Sequence, residues 1–156
     1  KSKFKMKFEQ LKLGNQLCFP VYAASRLIIR EYQPYLDKLR ITYPQYLVLM
    51  VLWENDGITV NDITDKLVLK TNTVTPLLKR MESLGIISRN RSGEDERKVM
   101  ITLTEKGKKM KLMASSIPGL LIDKLKDGAL TMEQLIELRT NLNLMIDYLQ
   151  NKEDSR

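Results

Sequence analysis

The side chain with the most distinctive chemistry in this sequence is a single cysteine, Cys18. A lone cysteine is more often an inert, small apolar residue than a reactive one. Cys18, however, stands two residues before Pro20, and a proline is well tolerated in the first turn of a helix. If Pro20 lies in that turn, the sulfur lies just outside the positive end of the helix, where the thiolate, the reactive form, is favoured. We therefore interpret Cys18 as a candidate redox-active thiol.

Two tyrosines that follow Cys18, Tyr22 and Tyr32, have spacings from it that can be interpreted on a helix. Tyr22 lies one turn further along, from where its hydroxyl can donate a hydrogen bond to a thiolate. Tyr32 lies 14 residues beyond Cys18. On a continuous helix that separation is about 21 Å, so Tyr32 cannot touch Cys18 of its own chain. It can reach Cys18 of a second chain if the two helices cross antiparallel, which predicts a sensor built at a dimer interface.

The absence of histidine removes several classes of chemistry. The chain has no histidine and one cysteine, which excludes zinc sites made of nitrogen and sulfur ligands and also histidine-dependent triads. We therefore expect no metal, no cofactor and no enzymatic activity. Oxidation of Cys18 to a sulfenic acid leaves no second cysteine to pair with, so a small cellular thiol or further oxidation would follow. One unpaired cysteine is also typical of a reducing cytoplasm.

A second candidate site lies in the segment 69–85, LKTNTVTPLLKRMESLG. Its apolar residues recur with the period of a helix and predict one buried stripe: Val74, Leu77, Leu78, Met81 and Leu84. The opposite face combines hydrogen-bonding groups with cations, which suits a nucleic acid better than plain solvent. Its members are Thr71, Asn72, Thr73, Thr75, Lys79 and Arg80.

The ends of this helix also have sequence signals. Thr71 or Thr73 is expected to cap its N-terminus, since threonine oxygens accept hydrogen bonds from first-turn N–H groups. Pro76 is tolerable only within the first turn, and Gly85 supplies the stop. The segment therefore predicts a short, well-bounded helix.

The pattern changes period after Gly85. Residues 86–91 and 98–103 read as two strands joined by the charged turn RSGEDER, which predicts a β-hairpin. Between Lys66 and Lys98 there are eight Lys/Arg against four Asp/Glu, so this stretch carries +4 of the formal net charge of +7. Such a concentration favours docking to DNA, with hairpin arginines at a minor groove or phosphate. The candidates are Arg89, Arg91 and Arg97.

Helices must position both candidate sites. With 156 residues, 43% of them hydrophobic and few aromatic, the chain predicts one compact, mostly α-helical unit. Helical spacing runs through 8–39, with a kink or restart near Pro20, and 44–55 reads as a helix buried on most sides. Ile58 and Thr59 can pair briefly as a strand, and Thr59 or Asn61 can cap a short helix over 60–67. A further helix from Thr104, with Met110, Met113, Ala114 and Ile117 inward, and a final one from Thr131 complete the chain.

The short helix, the turn, the helix of 71–84 and the hairpin form a predicted winged helix-turn-helix. The fold class is therefore mostly α with a small β-hairpin wing. We expect residues 41–103 to form the DNA-binding lobe and residues 1–40 and 104–156 the helical dimerisation region. The long apolar stripe of the final helix, and the two-fold symmetry of most operator sites, predict a homodimer.

Membrane insertion and secretion have no support in the sequence. There is no run of about 18 apolar residues, and the N-terminal stretch KSKFKMKFEQLK has no hydrophobic signal core. We therefore expect no membrane partner and a location in the cytoplasm.

Several motifs together resemble the MarR family of bacterial winged-helix repressors. They are ITVNDITDKL, TNTVTPLLKRMESLGIISRNRS and DERKVMITLTEKG. The resemblance implies a homodimer bound to a palindromic operator in double-stranded DNA. It also implies that Asp95 orients Arg97 for the minor groove.

A more specific resemblance links NQLCFPVYAASR, EYQPYLDKL and ITYPQY to the organic-hydroperoxide-sensing OhrR branch of that family, from which Pro20 is a departure. It implies that organic hydroperoxide oxidises Cys18 and that the repressor then leaves its operator. Tyr22, Tyr32 and Tyr43 would be the hydrogen-bonding partners of the sensor.

Three alternatives remain open from the sequence. A small apolar or phenolic ligand could release a MarR-type repressor in which Cys18 is not a sensor. A one-cysteine thiol peroxidase would need an arginine and a threonine set close to Cys18, and it has no use for a wing. A protein-interaction module that had lost DNA binding would bind its partner independently of salt. The net charge of +4 between Lys66 and Lys98 argues against this alternative.

Overall fold

A computed structural model describes residues 8–91, 93, 98–126, 128 and 130–154. The contacts within the chain divide it into two units, 1–115 and 116–156. Two 3₁₀ turns, Glu9–Leu11 and Leu13–Asn15, come first. The helices and strands follow in the order α1 Cys18–Leu39, α2 Tyr43–Glu54, β1 Ile58–Thr59, α3 Val60–Leu67, α4 Thr71–Ser83, β2 Ile87–Arg91, β3 Val99–Leu103, α5 Glu105–Ala114, α6 Ile117–Lys126 and α7 Met132–Asp154.

The core of the first unit is organised around α2, as its nearly continuous apolar sequence predicted. Val48 and Leu49 are fully buried and Tyr46 and Leu52 nearly so. α1, α3, α4 and α5 all pack against α2. Thr42 and Gln45 start α2 with a capping box. Because α2 contacts four helices, it fixes their relative positions within this unit.

α1 begins as a new helix near Pro20, which confirms the predicted restart. Pro20 is its third residue, where a missing N–H costs no intrahelical hydrogen bond. Cys18 is therefore the first helical residue and not, as expected, a residue just outside the helix. The helix then continues through Pro34 to Leu39.

The short helix α3 is capped by Thr59 and not by Asn61. The Thr59 hydroxyl accepts a hydrogen bond from the N–H of Asp62 at 3.1 Å, and the Asp62 carboxylate accepts one from the N–H of Thr59 at 2.8 Å. The Thr59 O–H also donates to that carboxylate at 2.6 Å. These bonds to Thr59 lower the pKa of Asp62. The reciprocal cap fixes the first helix of the predicted helix-turn-helix.

The start of α4 corrects two expectations. Lys70 occupies the N-cap without a side-chain hydrogen bond, so Thr71 and Thr73 are not caps; both lie inside the helix. Pro76 is the sixth residue of α4, beyond the first turn. The carbonyl of Asn72 therefore receives no hydrogen bond from the residue four positions on.

The end of α4 follows the sequence closely. Gly85 has a φ of +67°, a left-handed conformation that glycine adopts without strain. Its N–H donates to the carbonyl of Glu82 at 2.8 Å, and the N–H of Ile86 donates to that of Met81 at 3.1 Å. This is a Schellman cap. Leu84 lies past the last helical residue and is 42% exposed, so it is not part of the buried stripe.

The hairpin predicted after Gly85 forms a three-stranded antiparallel sheet in the order β1-β3-β2. In β2 and β3, Ile87 pairs with Leu103 and Arg91 with Val99. β1 adds the pair Ile58 and Ile101, which confirms the brief strand at 58–59. The hairpin of β2 and β3 is called the wing below. Ser92 and residues 94–97 of its tip lie outside the described residues.

α5 packs closely on the sheet through a glycine. The hydroxyl of Thr104 caps the helix by accepting from the N–H of Gly107 at 3.2 Å. A Cβ added to Gly107 would lie 2.3 Å from the carbonyl oxygen of Ile86. Met113, expected to face inward, is 62% exposed, whereas Met110 is buried. The helix ends at Ala114, and Pro118 is the second residue of the next helix.

The second unit consists of α6 and α7. Thr131 and Gln134 start α7 with a capping box, since each side chain accepts a hydrogen bond from the other's N–H. In α6, Ile117 and Leu121 are buried. No side chain of α7 is buried, among those that the structure describes. Within the described ranges, no helix is long and apolar enough to cross a membrane.

We predict that Gly107→Ala destabilises the fold by about 1–3 kcal/mol, because the new methyl group overlaps a backbone carbonyl that cannot move independently. Denaturant unfolding followed by circular dichroism measures this change. Gly119→Ala is the matched control, since nothing lies within 4 Å of a Cβ there. The control is expected to be neutral or slightly stabilising in helix α6. Equal stability of the two variants would contradict the close packing of α5.

Candidate functional site

α4 presents the predicted polar face to solvent. Val74, Leu77, Leu78 and Met81 are buried on its inner side. Of the six residues predicted for the outer side, five are exposed and Thr75 is half-buried. The exposed residues are Thr71, Asn72, Thr73, Lys79 and Arg80. A helix held by one buried stripe and open on the other side can enter a major groove.

The structure brings α3, α4 and the wing together around a polar recess, which we call the junction cleft. It has a volume of about 230 Å³. Its lining residues are Thr59, Val60, Asn61, Thr71, Thr75, Arg89, Lys98 and Val99. Hydroxyl groups, two cations and the first turns of two helices all border this recess, and all of them favour an anion.

Arg89 is anchored in this cleft rather than extended to solvent. Its side chain is 19% exposed, and its Nη1 lies 3.5 Å from a carboxylate oxygen of Glu82 on α4. Its Nε is buried and has no hydrogen-bond partner among the residues that the structure describes. Arg91, two residues on, is exposed at the end of β2. The predicted wing residues Asp95 and Arg97 lie outside the described residues.

Five of the eight cleft residues were not singled out as site residues by the sequence analysis: Thr59, Val60, Asn61, Lys98 and Val99. Asn61 was considered only as a helix cap, and Lys98 only as part of the basic count. Their place depends on the pairing of β1 with β3, which carries the start of α3 to the base of the wing. A two-residue strand is too short a signal to establish that pairing from sequence.

Two of the predicted sensor tyrosines meet at the far end of α1. The ring centroids of Tyr32 and Tyr43 are 5.0 Å apart. Tyr46, which the sequence analysis did not include, joins them at 5.9 Å from Tyr32 and 6.4 Å from Tyr43. We call these three residues the tyrosine cluster. Tilted contacts between aromatic rings at these separations stabilise a defined arrangement of the rings.

All three phenols of the tyrosine cluster have raised pKa values. Burial, followed by the electrostatic influence of Tyr43 and Tyr46, raises the pKa of Tyr32 to about 12. Burial also raises the pKa of Tyr43, and burial and Tyr43 raise that of Tyr46. All three hydroxyls therefore remain protonated at neutral pH and can act as hydrogen-bond donors.

Cys18 and Tyr22 lie at the opposite end of the same helix. Cys18 is exposed, and Tyr22 is 61% exposed, with the guanidinium carbon of Arg26 5.4 Å from its ring centroid. Because α1 is continuous from Cys18 to Leu39, the sulfur and Tyr32 are separated by about 21 Å of helix. The four predicted sensor residues thus form two separate pairs within one chain.

Several exposed apolar residues lie next to Cys18 in the sequence. Leu17 is 71% exposed, Phe19 42% and Val21 43%. In the second unit, the α7 residues Leu144 and Leu149 are 63% and 53% exposed. Such exposed apolar surface is typical of interfaces rather than of solvated faces.

A model of the family of SarA/Rot transcriptional regulators matches residues 30–113. The organic hydroperoxide resistance transcriptional regulator of Bacillus subtilis strain 168 is 47% identical over 146 residues, which cover 94% of this chain and 97% of the relative. The chain belongs to the MarR-type winged-helix transcriptional regulators. Proteins of this family are DNA-binding regulators and not enzymes.

Solved structures support the same assignment. Reduced AbfR bound to DNA has a TM-score of 0.72 and 36% identity, over 90% of this regulator and 96% of AbfR. Overoxidised AbfR bound to DNA has a TM-score of 0.67 and 39% identity, over 88% and 98%. A disulfide form of AbfR has a TM-score of 0.60 and 39% identity, over 88% and 95%. The regulator therefore shares its fold with a relative solved in several oxidation states.

We predict that Tyr32→Phe reduces the alkaline loss of stability of this regulator. The pKa of Tyr32 is about 12 in the fold against an ordinary 10.0, so the fold favours the neutral phenol. The resulting stabilisation is fully present below pH 10 and is lost as the pH rises towards 12. Urea unfolding at several pH values from 9 to 12 measures the difference.

Tyr148→Phe is the matched control, because Tyr148 is 66% exposed. Its stability profile should follow that of the wild type. If Tyr32→Phe follows it as well, the phenol of Tyr32 is not buried as described.

Proposed function

We propose that this regulator binds a palindromic operator as a homodimer and is released when an organic hydroperoxide oxidises Cys18. The observation that carries the proposal is the division of the sensor residues between the two ends of α1. An exposed thiol lies at one end and protonated, half-buried tyrosines lie at the other. An antiparallel pair of such helices would bring each thiol to the tyrosines of the second copy.

The argument for a second copy rests on surface that a lone chain leaves exposed. α7 has 23 residues, and none of its described side chains is buried. A helix gains most of its stability from packing an apolar face. Leu138, Met145 and Ile146 are each exposed by 40% or more, so α7 is best explained as a dimer-forming helix. This agrees with the proposed dimerisation region of residues 1–40 and 104–156 around a DNA-binding lobe of 41–103.

The DNA contacts would divide between base reading and phosphate binding. Thr73 and Lys79 on the open face of α4 are suited to base edges in the major groove. The junction cleft, with Lys98 and the hydroxyl groups of Thr71 and Thr75, is suited to a backbone phosphate. Arg97 and Asp95 would serve the minor groove, as the family resemblance implies. Its DNA target would place the regulator in the cytoplasm.

The chemistry at Cys18 begins with attack of its thiolate on the terminal oxygen of the hydroperoxide. The O–O bond breaks, an S–O bond forms, and the organic fragment leaves as an alcohol after it gains a proton. The cysteine is now a sulfenic acid. In the dimer, the hydroxyl groups of Tyr22 and of the second copy's Tyr32 and Tyr43 would donate hydrogen bonds to the thiolate. These bonds favour the charged, reactive form.

The sulfenic acid then has two routes. A small cellular thiol can displace its hydroxyl as water and form a mixed disulfide, or further peroxide can add oxygen. Overoxidised AbfR has been solved bound to DNA, so added oxygen does not by itself prevent DNA binding in that relative. We therefore propose that the larger mixed disulfide is the releasing form in this regulator. Its bulk at the dimer interface would change the spacing of the two α4 helices, which must match half-sites about 34 Å apart.

We predict that an organic hydroperoxide together with a small thiol releases the regulator from DNA, and that Cys18→Ser abolishes this response. The measurement is retention of DNA from a random-site pool, with peroxide alone, thiol alone and both. Serine preserves the size of the side chain, so the basal affinity should not change. A full response in Cys18→Ser would favour the alternative, a repressor released by a small apolar or phenolic ligand.

We also predict different effects from the two classes of DNA contact. Thr73→Ala and Lys79→Ala should change which sequences are selected. Lys98→Gln and Arg97→Ala should weaken binding to all sequences, and Lys98→Gln should lower the slope of log affinity against log salt by about 0.9. The control is Lys108→Gln on α5, which removes the same charge outside the interface. A uniform loss for all four interface variants would contradict this division.

A further inference from the structure

A row of aromatic rings continues from the tyrosine cluster along α2. The ring of Trp53 lies edge-on to that of Tyr46, with their centroids 6.2 Å apart. Tyr43, Tyr46 and Trp53 occupy positions i, i+3 and i+10 of α2, which places them on one side of that helix. The proposed function uses the tyrosine cluster, but it gives Trp53 no role.

Trp53 joins the end of α2 to the first turn of α5. Its indole N–H donates a hydrogen bond to the carbonyl of Gly107 at 3.0 Å. In return, the ammonium group of Lys111 on α5 donates to the backbone carbonyl of Trp53 at 2.9 Å. Each helix therefore donates one hydrogen bond to the other, and the indole bond is the one that starts from the row of rings.

Gly107 in turn meets the turn that ends α4. A Cβ on Gly107 would lie 2.3 Å from the carbonyl oxygen of Ile86, so the two backbones are already in close contact. One turn earlier, the hydroxyl of Thr104 donates to the carbonyls of Gly85 and Ile86, at 2.7 and 2.9 Å. Gly85 and Ile86 close the Schellman cap of α4 and lead into β2. A displacement of Gly107 therefore acts on the end of α4 and on the start of the wing.

These contacts form a continuous connection between the tyrosine cluster and α4. Tyr46 and Ile86 are each 2% exposed, so the connection begins and ends in the packed core. Close packing transmits a displacement, since neighbouring groups have no space to absorb it. The indole N–H adds a directed bond at the step where the connection leaves α2 for α5.

We propose that Trp53 is a positioning residue, which carries a change at the tyrosine cluster to the end of α4. This inference rests on the proposed function, because it concerns how a change at Cys18 releases the DNA. A mixed disulfide on the second copy's Cys18 would displace the tyrosine cluster. Trp53 would follow, and its hydrogen bond would move Gly107.

The test measures DNA affinity before and after oxidation. DNA selected from the random-site pool is titrated with the reduced regulator and with regulator treated with cumene hydroperoxide and free cysteine. The ratio of the two dissociation constants is the response. Trp53→Phe keeps an aromatic ring and removes the N–H, so the response should fall about threefold to tenfold, the value of one hydrogen bond. The affinity of the reduced form should not change, because Trp53 is not among the proposed DNA contacts.

Tyr46→Phe is the matched control on the same helix. It also removes one polar hydrogen from an aromatic side chain, but it keeps the ring that contacts Trp53. Its response should equal that of the wild type. An equal loss in Tyr46→Phe and Trp53→Phe would contradict a specific role for the indole N–H.

A second replacement keeps the shape of the indole ring. The chain has one tryptophan, so regulator produced with benzothienylalanine in place of tryptophan is altered at residue 53 alone. The benzothiophene ring carries sulfur where indole carries N–H and cannot donate the hydrogen bond. It should lose the response to the same extent as Trp53→Phe.

The fluorescence of the single tryptophan separates transmission from a purely structural role. Peroxide with free cysteine should change the emission of Trp53 in the wild type and leave it unchanged in Cys18→Ser. A structural role would lower the free energy of unfolding of Trp53→Phe in urea without changing the response.

The outcomes distinguish this inference from the proposed function. If the wild type leaves the DNA and Trp53→Phe responds equally, or if the emission of Trp53 stays constant during release, the inference is wrong and the proposed function stands. If the oxidised wild type stays on the DNA, the proposed function is wrong, and the inference fails with it.

Discussion

The length of one rigid helix constrains everything else in this regulator. α1 runs without interruption over 22 residues from Cys18 to Leu39, and it keeps the thiol about 21 Å from Tyr32. A single chain can therefore neither activate the sulfur with Tyr32 and Tyr43 nor respond at those tyrosines when the sulfur changes. If both ends of the helix belong to one sensor, the second chain must complete it. Oxidation of the sulfur would then change the dimer contact and the spacing of the two α4 helices, because any group added to the sulfur lies between the two copies.

A change at the dimer interface would move α4, the helix proposed to read the DNA, because several contacts hold α4 to the rest of its unit. Its buried stripe packs on α2, its C-terminus closes in a Schellman cap, and Arg89 of the wing contacts Glu82 on its side. Gly107 allows α5 to approach the carbonyl of Ile86 just beyond that cap. Close-packed contacts of this kind transmit displacement rather than absorb it. A small shift where α1 and α5 meet α2 would therefore move α4 and the wing together.

Periodicity was sufficient to predict the fold and the open face of α4, because Val74, Leu77, Leu78 and Met81 have the spacing of one helical stripe. The hairpin was equally clear, because the helical period stops at Gly85 and two strand-like segments flank the charged turn RSGEDER. Local end signals were less reliable. Threonines at 71 and 73 looked like caps, but packing begins the helix at Thr71 and leaves Lys70 in the cap position. The junction cleft and the tyrosine cluster could not be predicted, because each joins segments whose contact depends on tertiary packing. Tyr46 looked like ordinary core until it was placed beside Tyr32.

The N-terminus of α1 carries the thiol, and the same helix packs on α2. A ligand changes a conformational equilibrium only if it binds the alternative states with different affinity. Oxidation at Cys18 satisfies this condition if the added group fits between the two copies in one arrangement and not in the other.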